Sequence, residues 1–262
     1  MMIEKAVFGL VVALVIIYSI NLINTSLLTG FVLEKIDEQT ADIRIIQLYD
    51  SSCGKCYDLG RITNHISGQR LFKVISLHQI DLSSANGKEL VNKYALKTAP
   101  TLVITGEVSE SVVQDFWKNL GVKLLDNSTV VISSPLPYRD LESGKILGVV
   151  KIIELDDKSC EHCYDVRVHE QILARFGVYV DGVQKSDVSS QEGKNLIERY
   201  GIKAIPTVLI SPDVAVYGSI MSVWPQVGYV AEDGWLVFNN TEIMYNNFGG
   251  YEDLSTGEEI AK

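Results

Sequence analysis

Residues 45–58 read IIQLYDSSCGKCYD, and residues 152–165 read IIELDDKSCEHCYD. The same pattern, apolar run, aspartate, serine and C-x-x-C, is written twice. Cys53, Cys56, Cys160 and Cys163 in these stretches are the four cysteines of the 262-residue chain. A short apolar run with β-branched residues predicts a buried strand, and the stretch beginning at the cysteines predicts a helix. Two close pairs with no other cysteine point to dithiol chemistry rather than a framework of structural disulfides.

The duplication extends outward. Residues 81–104 (DLSSANGKELVNKYALKTAPTLVI) answer residues 187–210 (DVSSQEGKNLIERYGIKAIPTVLI). Trp117 and Trp224 fall at matching places, as do YRDLESG (138–144) and YEDLSTG (251–257). The repeated unit is about 110 residues, the size of a compact domain. Solenoid repeats are shorter, roughly 20–50 residues.

Each unit predicts the same order of elements. In the first, strands are expected at 45–48, 72–80, 101–104 and 130–133, with helices at 53–65 and 87–94. In the second, strands are expected at 152–155, 207–210 and 234–238, with an extended segment at 178–188. A helix should begin at Cys160 with Ser159 as its N-cap, and another should run from Ser190 to Tyr200, ended by Gly201. A linker is expected at 143–148. Trp117 and Trp224 read as packing residues, and His169 as a packed or solvated helix residue.

Ahead of the repeats, residues 6–32 contain no charged side chain. Roughly 20 apolar residues suffice to span a bilayer as a helix, and no clear small-residue cleavage site follows a short apolar core. The reading is therefore a tail (1–5), a transmembrane anchor (6–32), a linker (33–41) and two units (42–146 with CGKC, 147–262 with CEHC). Lys5 before the span favours a cytoplasmic N-terminus, which leaves both units extracytoplasmic. The net charge of −10 gives no support to nucleic-acid binding.

The order strand, C-x-x-C, helix, strand, helix, then a proline opening a strand, resembles the thioredoxin fold. Ala99-Pro100-Thr101 and Ile205-Pro206-Thr207 match that family's proline loop. The fold class is then α/β: two tandem thioredoxin-like domains, each a central mixed sheet flanked by helices, behind one N-terminal membrane helix. The tandem arrangement is similar to protein disulfide isomerases and the two-domain disulfide oxidoreductases of archaea. The resemblance implies cis X-Pro bonds facing the dithiols, and protein-disulfide oxidoreductase or isomerase activity. Ala99, Pro100, Ile205 and Pro206 would contact an extended client by strand-like hydrogen bonds. It also implies a buried acid six residues before the first cysteine. Glu154 stands there in the second unit and Gln47 in the first. Serines replace the family's usual aromatic before the first cysteine, and no clear amphipathic helix closes either unit.

A thiolate at a helix start is stabilised by free backbone N–H groups. Cys53 and Cys160 are therefore expected to attack, and Cys56 and Cys163 to resolve the mixed disulfide. Lys55 and His162, between the cysteines, are expected to tune each site. Glu154 is expected to move the proton of Cys163, making the second site the faster. The partners would be client proteins with thiols or disulfides and a redox partner, with a membrane oxidoreductase as one candidate. No cofactor and no metal are expected. Three other readings stay open: a non-catalytic client-binding module, purely structural disulfides, although such short loops are usually labile, and a zinc protein using all four cysteines, although zinc ribbons space their pairs much more closely. The direction of electron flow is not legible.

Overall fold

The computed structural model describes residues 40–262. The expected anchor at 6–32 lies outside them, and among the described residues no helix is long and apolar enough to cross a membrane. Two sheet-and-helix regions of the same topology follow one another, consistent with the thioredoxin-like expectation.

In the first, β1 (Ala41–Tyr49) is flanked by the parallel β2 (Phe72–Asp81) and the antiparallel β4 (Thr101–Gly106). β6 (Thr129–Ser133) and β5 (Leu124–Asp126) complete the order β2-β1-β4-β6-β5. The second repeats it with β9 (Val149–Asp156), β10 (Tyr179–Asp187), β12 (Thr207–Ile210), β14 (Leu236–Phe238) and β13 (Gly228–Val230). Side chains alternate across a strand, so each central strand feeds two cores. Val150 and Ile152 of β9 pack with Tyr164, Leu173 and Trp224 on one face. Ile153 and Leu155 pack with Tyr200 and Ile205 on the other.

The helices are α1 (Gly60–Ser67), α2 (Ala85–Tyr94) and α3 (Ser111–Asn119), then α4 (Val168–Arg175), α5 (Gln191–Tyr200), α6 (Gly218–Val223) and α7 (Thr241–Asn247). Ser84 and Ser190 cap α2 and α5 by accepting the N–H of Gly87 and Gly193 at 3.0 and 2.9 Å. The glycine of the repeated S-S-x-x-G has a steric cause. A Cβ at Gly87 or Gly193 would sit 2.1 Å from the carbonyl oxygen of Asp81 or Asp187. Gly201 ends α5 in the left-handed conformation. Trp117 and Trp224 are core residues.

Two expectations are corrected. The helices do not begin at the cysteines but after the second of each pair, at Gly60 and Val168. Asp58 and Asp165 accept the N–H groups of Gly60 and Arg167 at 2.8 and 3.0 Å and start the helices there. Ser159 caps no helix, because its hydroxyl donates to Asp157 at 2.6 Å. Secondly, the expected linker at 143–148 includes β8 (Ile146–Leu147), the return strand of a hairpin whose first strand is β7 (Tyr138–Asp140). The second copy of that hairpin is β15 (Tyr251–Asp253) with β16 (Glu258–Ile260). The repeated Tyr-x-Asp-Leu-x-x-Gly segments are these hairpins. Asp140 and Asp253 each accept a backbone N–H at the turn, from Ser143 and Ser255.

Candidate active site

Both cysteine pairs are closed as disulfides, with Cα atoms 5.4 and 5.5 Å apart. In this state none of the four sulfurs is a free thiolate for zinc. Each pair sits in a turn directly after the central strand. Asp50 accepts the N–H and O–H of Ser52 at 3.0 and 2.6 Å, and its carbonyl accepts the N–H of Cys53 at 3.0 Å. Asp157, Ser159 and Cys160 repeat this arrangement. The D-x-S-C of the opening stretch is thus a self-bonded turn. It leaves the cysteines ahead of the helix start, where the helix-terminus stabilisation of a thiolate is weaker.

In the second unit the proline loop meets the dithiol. Ala99-Pro100 and Ile205-Pro206 are both cis. In the second unit Cys163 Sγ lies 3.9 Å from the carbonyl oxygen of Ile205. Tyr164, next in sequence, donates its hydroxyl proton to the carbonyl of Pro206 at 2.5 Å. His169 Nε2 lies 2.9 Å from the same hydroxyl oxygen. Since that hydroxyl proton is already given to Pro206, the imidazole must donate through Nε2. Burial pulls His169 down to about 4 and pushes the Tyr164 phenol up, so both are neutral. Sequence reading made His169 a packed or solvated helix residue. The first unit has Ile62 where the second has His169.

Glu154 lies on the β9 face covered by α4 and is 1% exposed. Burial, followed by the neighbouring Glu170 carboxylate, pushes it up to about 7. Lys185, beside it on β10, lies 3.7 Å away and pulls the other way. Among the described residues neither Glu154 oxygen has a hydrogen-bond partner. Gln47 is buried at the matching place in the first unit, and Thr63 stands where Glu170 does.

Of the two expected tuning residues, Lys55 pairs with Asp181 of β10. His162 is exposed, and its carbonyl accepts the N–H of Gly250 at 2.9 Å. Near the first dithiol a group that sequence reading missed comes close: a carboxylate oxygen of Asp50 and the sulfurs of Cys53 and Cys56 all lie within 4.8 Å of one another. Burial raises the Asp50 carboxyl, but hydrogen bonds from Ser52 and Arg139 more than offset this and hold it below the usual range.

The edge expected to receive a client strand already has a partner. β3 (Thr98–Ala99) pairs antiparallel with β7, Ala99 opposite Arg139. β11 (Ala204–Ile205) pairs with β15, Ile205 opposite Glu252. The same incoming chain also bonds the cysteine segment. Pro137 accepts the N–H of Tyr57 at 2.7 Å, and Gly250 accepts that of Tyr164 at 2.9 Å. In both units the chain's own hairpin segment is bonded to both the dithiol turn and the proline loop.

No protein-family model matches the chain, and no curated protein matches it. Solved structures that are similar to it include the NTD_N/C domain of alkylhydroperoxide reductase AhpF from Enterococcus faecalis, 17% identical over 67% of this chain and 84% of that one, with a TM-score of 0.21. ERdj5 form I is 12% identical over 70% of this chain and 25% of that one, with a TM-score of 0.21. The zinc-bound form of human ERp44 is 15% identical over 82% and 56%, with a TM-score of 0.18. At these scores the likeness carries no weight for mechanism. What supports a thiol–disulfide redox protein in general terms is the chain's own pair of C-x-x-C disulfides, in two α/β units with cis-proline loops.

Proposed function

We propose that the protein exchanges disulfides with client proteins through its two C-x-x-C pairs, the second being the more active. The observation that carries this reading is the second site. Cys163 abuts the carbonyl that precedes cis-Pro206, and a buried carboxyl with its titration near neutrality lies on the sheet face under α4. In the reducing direction, the Cys160 thiolate attacks a client disulfide. One client sulfur leaves as thiolate and a mixed disulfide forms. Glu154 takes the proton of Cys163, whose thiolate then attacks the Cys160 sulfur. The second client thiol leaves, and the protein retains the Cys160–Cys163 disulfide. Two electrons pass to the client, and the reverse sequence oxidises it. The first site uses Cys53 and Cys56 in the same roles without a glutamate beneath them. We further propose that residues 6–32 tether the chain with both units outside the cytoplasm, a reading supported by their uncharged sequence.

Single-cysteine variants test the exchange. Cys163→Ser is expected to trap clients as mixed disulfides with Cys160, seen as reductant-sensitive adducts on a gel. Cys160→Ser is expected to lower insulin reduction more than Cys53→Ser does. Equal losses would remove the asymmetry, and activity unaffected by all four substitutions would remove the function.

A further inference from the structure

The hairpins occupy the backbone edge on which an extended client would add, and the two copies differ in what pins them down. In the first, Arg139 of β7 reaches back over the dithiol turn. Its Nε lies 2.5 Å from Asp50 Oδ2, its Nη2 donates to Ser52 Oγ at 3.0 Å, and its Nη1 donates to the Gly144 carbonyl at 2.7 Å. The Asp50 side chain is 5% exposed. A guanidinium forked between a shielded carboxylate and a hydroxyl is a strong, directional tie. It joins the hairpin to the residues directly before Cys53, and Cys53 itself is 8% exposed.

In the second copy the register is the same and the charge is reversed. Glu252 stands where Arg139 does, opposite the residue before the cis proline. The carboxyl it acts on is again that of the turn aspartate, here Asp157. Burial and the nearby Asp157 carboxyl push Glu252 up, with Glu259 of β16 adding to this. One oxygen of Glu252 is buried with no hydrogen-bond partner among the described residues. Two carboxyls hold together only through a shared proton, and repel when both are ionised. Cys160 is only partly buried.

We propose that the hairpins are resident strands that a client must displace, and that Arg139 latches the first over its dithiol while Glu252 gives the second no such side-chain tie. Arg139 is then a positioning residue that governs access. This rests on the disulfide-exchange reading for its purpose, but its test does not use a client. In full-length protein with Cys160→Ser and Cys163→Ser, the rate at which dithiothreitol reduces Cys53–Cys56 is followed by quenching with iodoacetamide and weighing the protein. Adding Arg139→Glu is expected to raise this rate about tenfold, the factor by which loss of a strong tie shifts an open–closed equilibrium. In the complementary Cys53→Ser, Cys56→Ser protein, Glu252→Arg creates the missing tie to Asp157 and is expected to slow reduction of Cys160–Cys163 by a similar factor. Rates within twofold of their parents in both arms would overturn the latch. If Arg139→Glu loosens the whole first unit, seen as lost amide protection in β1, the Glu252→Arg arm decides. Rate shifts in a protein that exchanges no client disulfide would keep the latch and refute the function. Client exchange with unshifted rates would do the reverse.

Discussion

The residue that separates the two sites most sharply is Glu154. A carboxyl titrating near 7 changes charge in the working range of a thiol enzyme, whereas Gln47 cannot change charge. The pH dependence of the second site, isolated in Cys53→Ser, Cys56→Ser protein, is expected to show a limb near pH 7 that Glu154→Gln abolishes. The isolated first site should lack that limb already. A limb that survives in Glu154→Gln would assign the titration to another group. Stability gives a second readout with a definite sign. The folded carboxyl titrates above the unfolded one, so between about 4.5 and 7 the native state binds more protons and loses stability as pH rises. At pH 8 Glu154→Gln is therefore expected to be the more stable protein, by roughly 2–3 kcal/mol on linkage grounds. At about pH 4 the difference should vanish. His169 works the other way. Buried and neutral, it favours folding above about 6.5, and that contribution is lost as pH falls towards 4.

At the level of elements, the dithiol turn, the helix after it and the hairpin are set by short polar devices more than by periodicity. Asp50 and Asp157 bond the serines two residues on, and Asp58 and Asp165 start the helices. All four aspartates stand in the quoted repeat. A helix was expected from the cysteines onward because of the apolar spacing of Val166, Leu173 and their neighbours, which records where the helix packs and not where it starts. The α5 cap at Ser190 was legible, because serine three residues before glycine is a local signal. The glycine there also tests a close approach of backbones. Gly193→Ala would drive a Cβ into the Asp187 carbonyl, and is expected to destabilise the second unit by about 3 kcal/mol or more. Denaturant unfolding that leaves this variant within about 0.5 kcal/mol of its parent, a typical surface effect, would show that the β10–α5 turn relaxes freely.

For the molecule as a whole, each unit carries its own pair of cores on the two faces of its own sheet. The link between them is short and anchored. The Tyr217 hydroxyl donates to the Gly148 carbonyl at 2.6 Å, and Leu136 of the first unit packs against the second unit's core. The net charge of −10 sets such molecules to repel one another rather than associate. The proposed tether makes a claim about the whole chain. Protease added to the outside of intact cells or sealed vesicles is expected to digest both units, and full protection of both would place them on the cytoplasmic side.

Two C-x-x-C pairs, the α/β order, the proline loops, the Ser190 cap and the Glu154–Gln47 asymmetry belonged to the sequence alone. They depend on local spacing or on a repeat that can be laid against itself. Tertiary structure decided the rest. The Tyr164–His169–Pro206 link, the approach of Asp50 to the sulfurs, and the pairing of Ala99 with Arg139 and of Ile205 with Glu252 depend on how the folded chain closes on itself. Only a closed sheet edge shows that Tyr-x-Asp-Leu-x-x-Gly is a strand laid over a dithiol, because a hairpin's partner is chosen by which backbone edge the fold leaves unpaired.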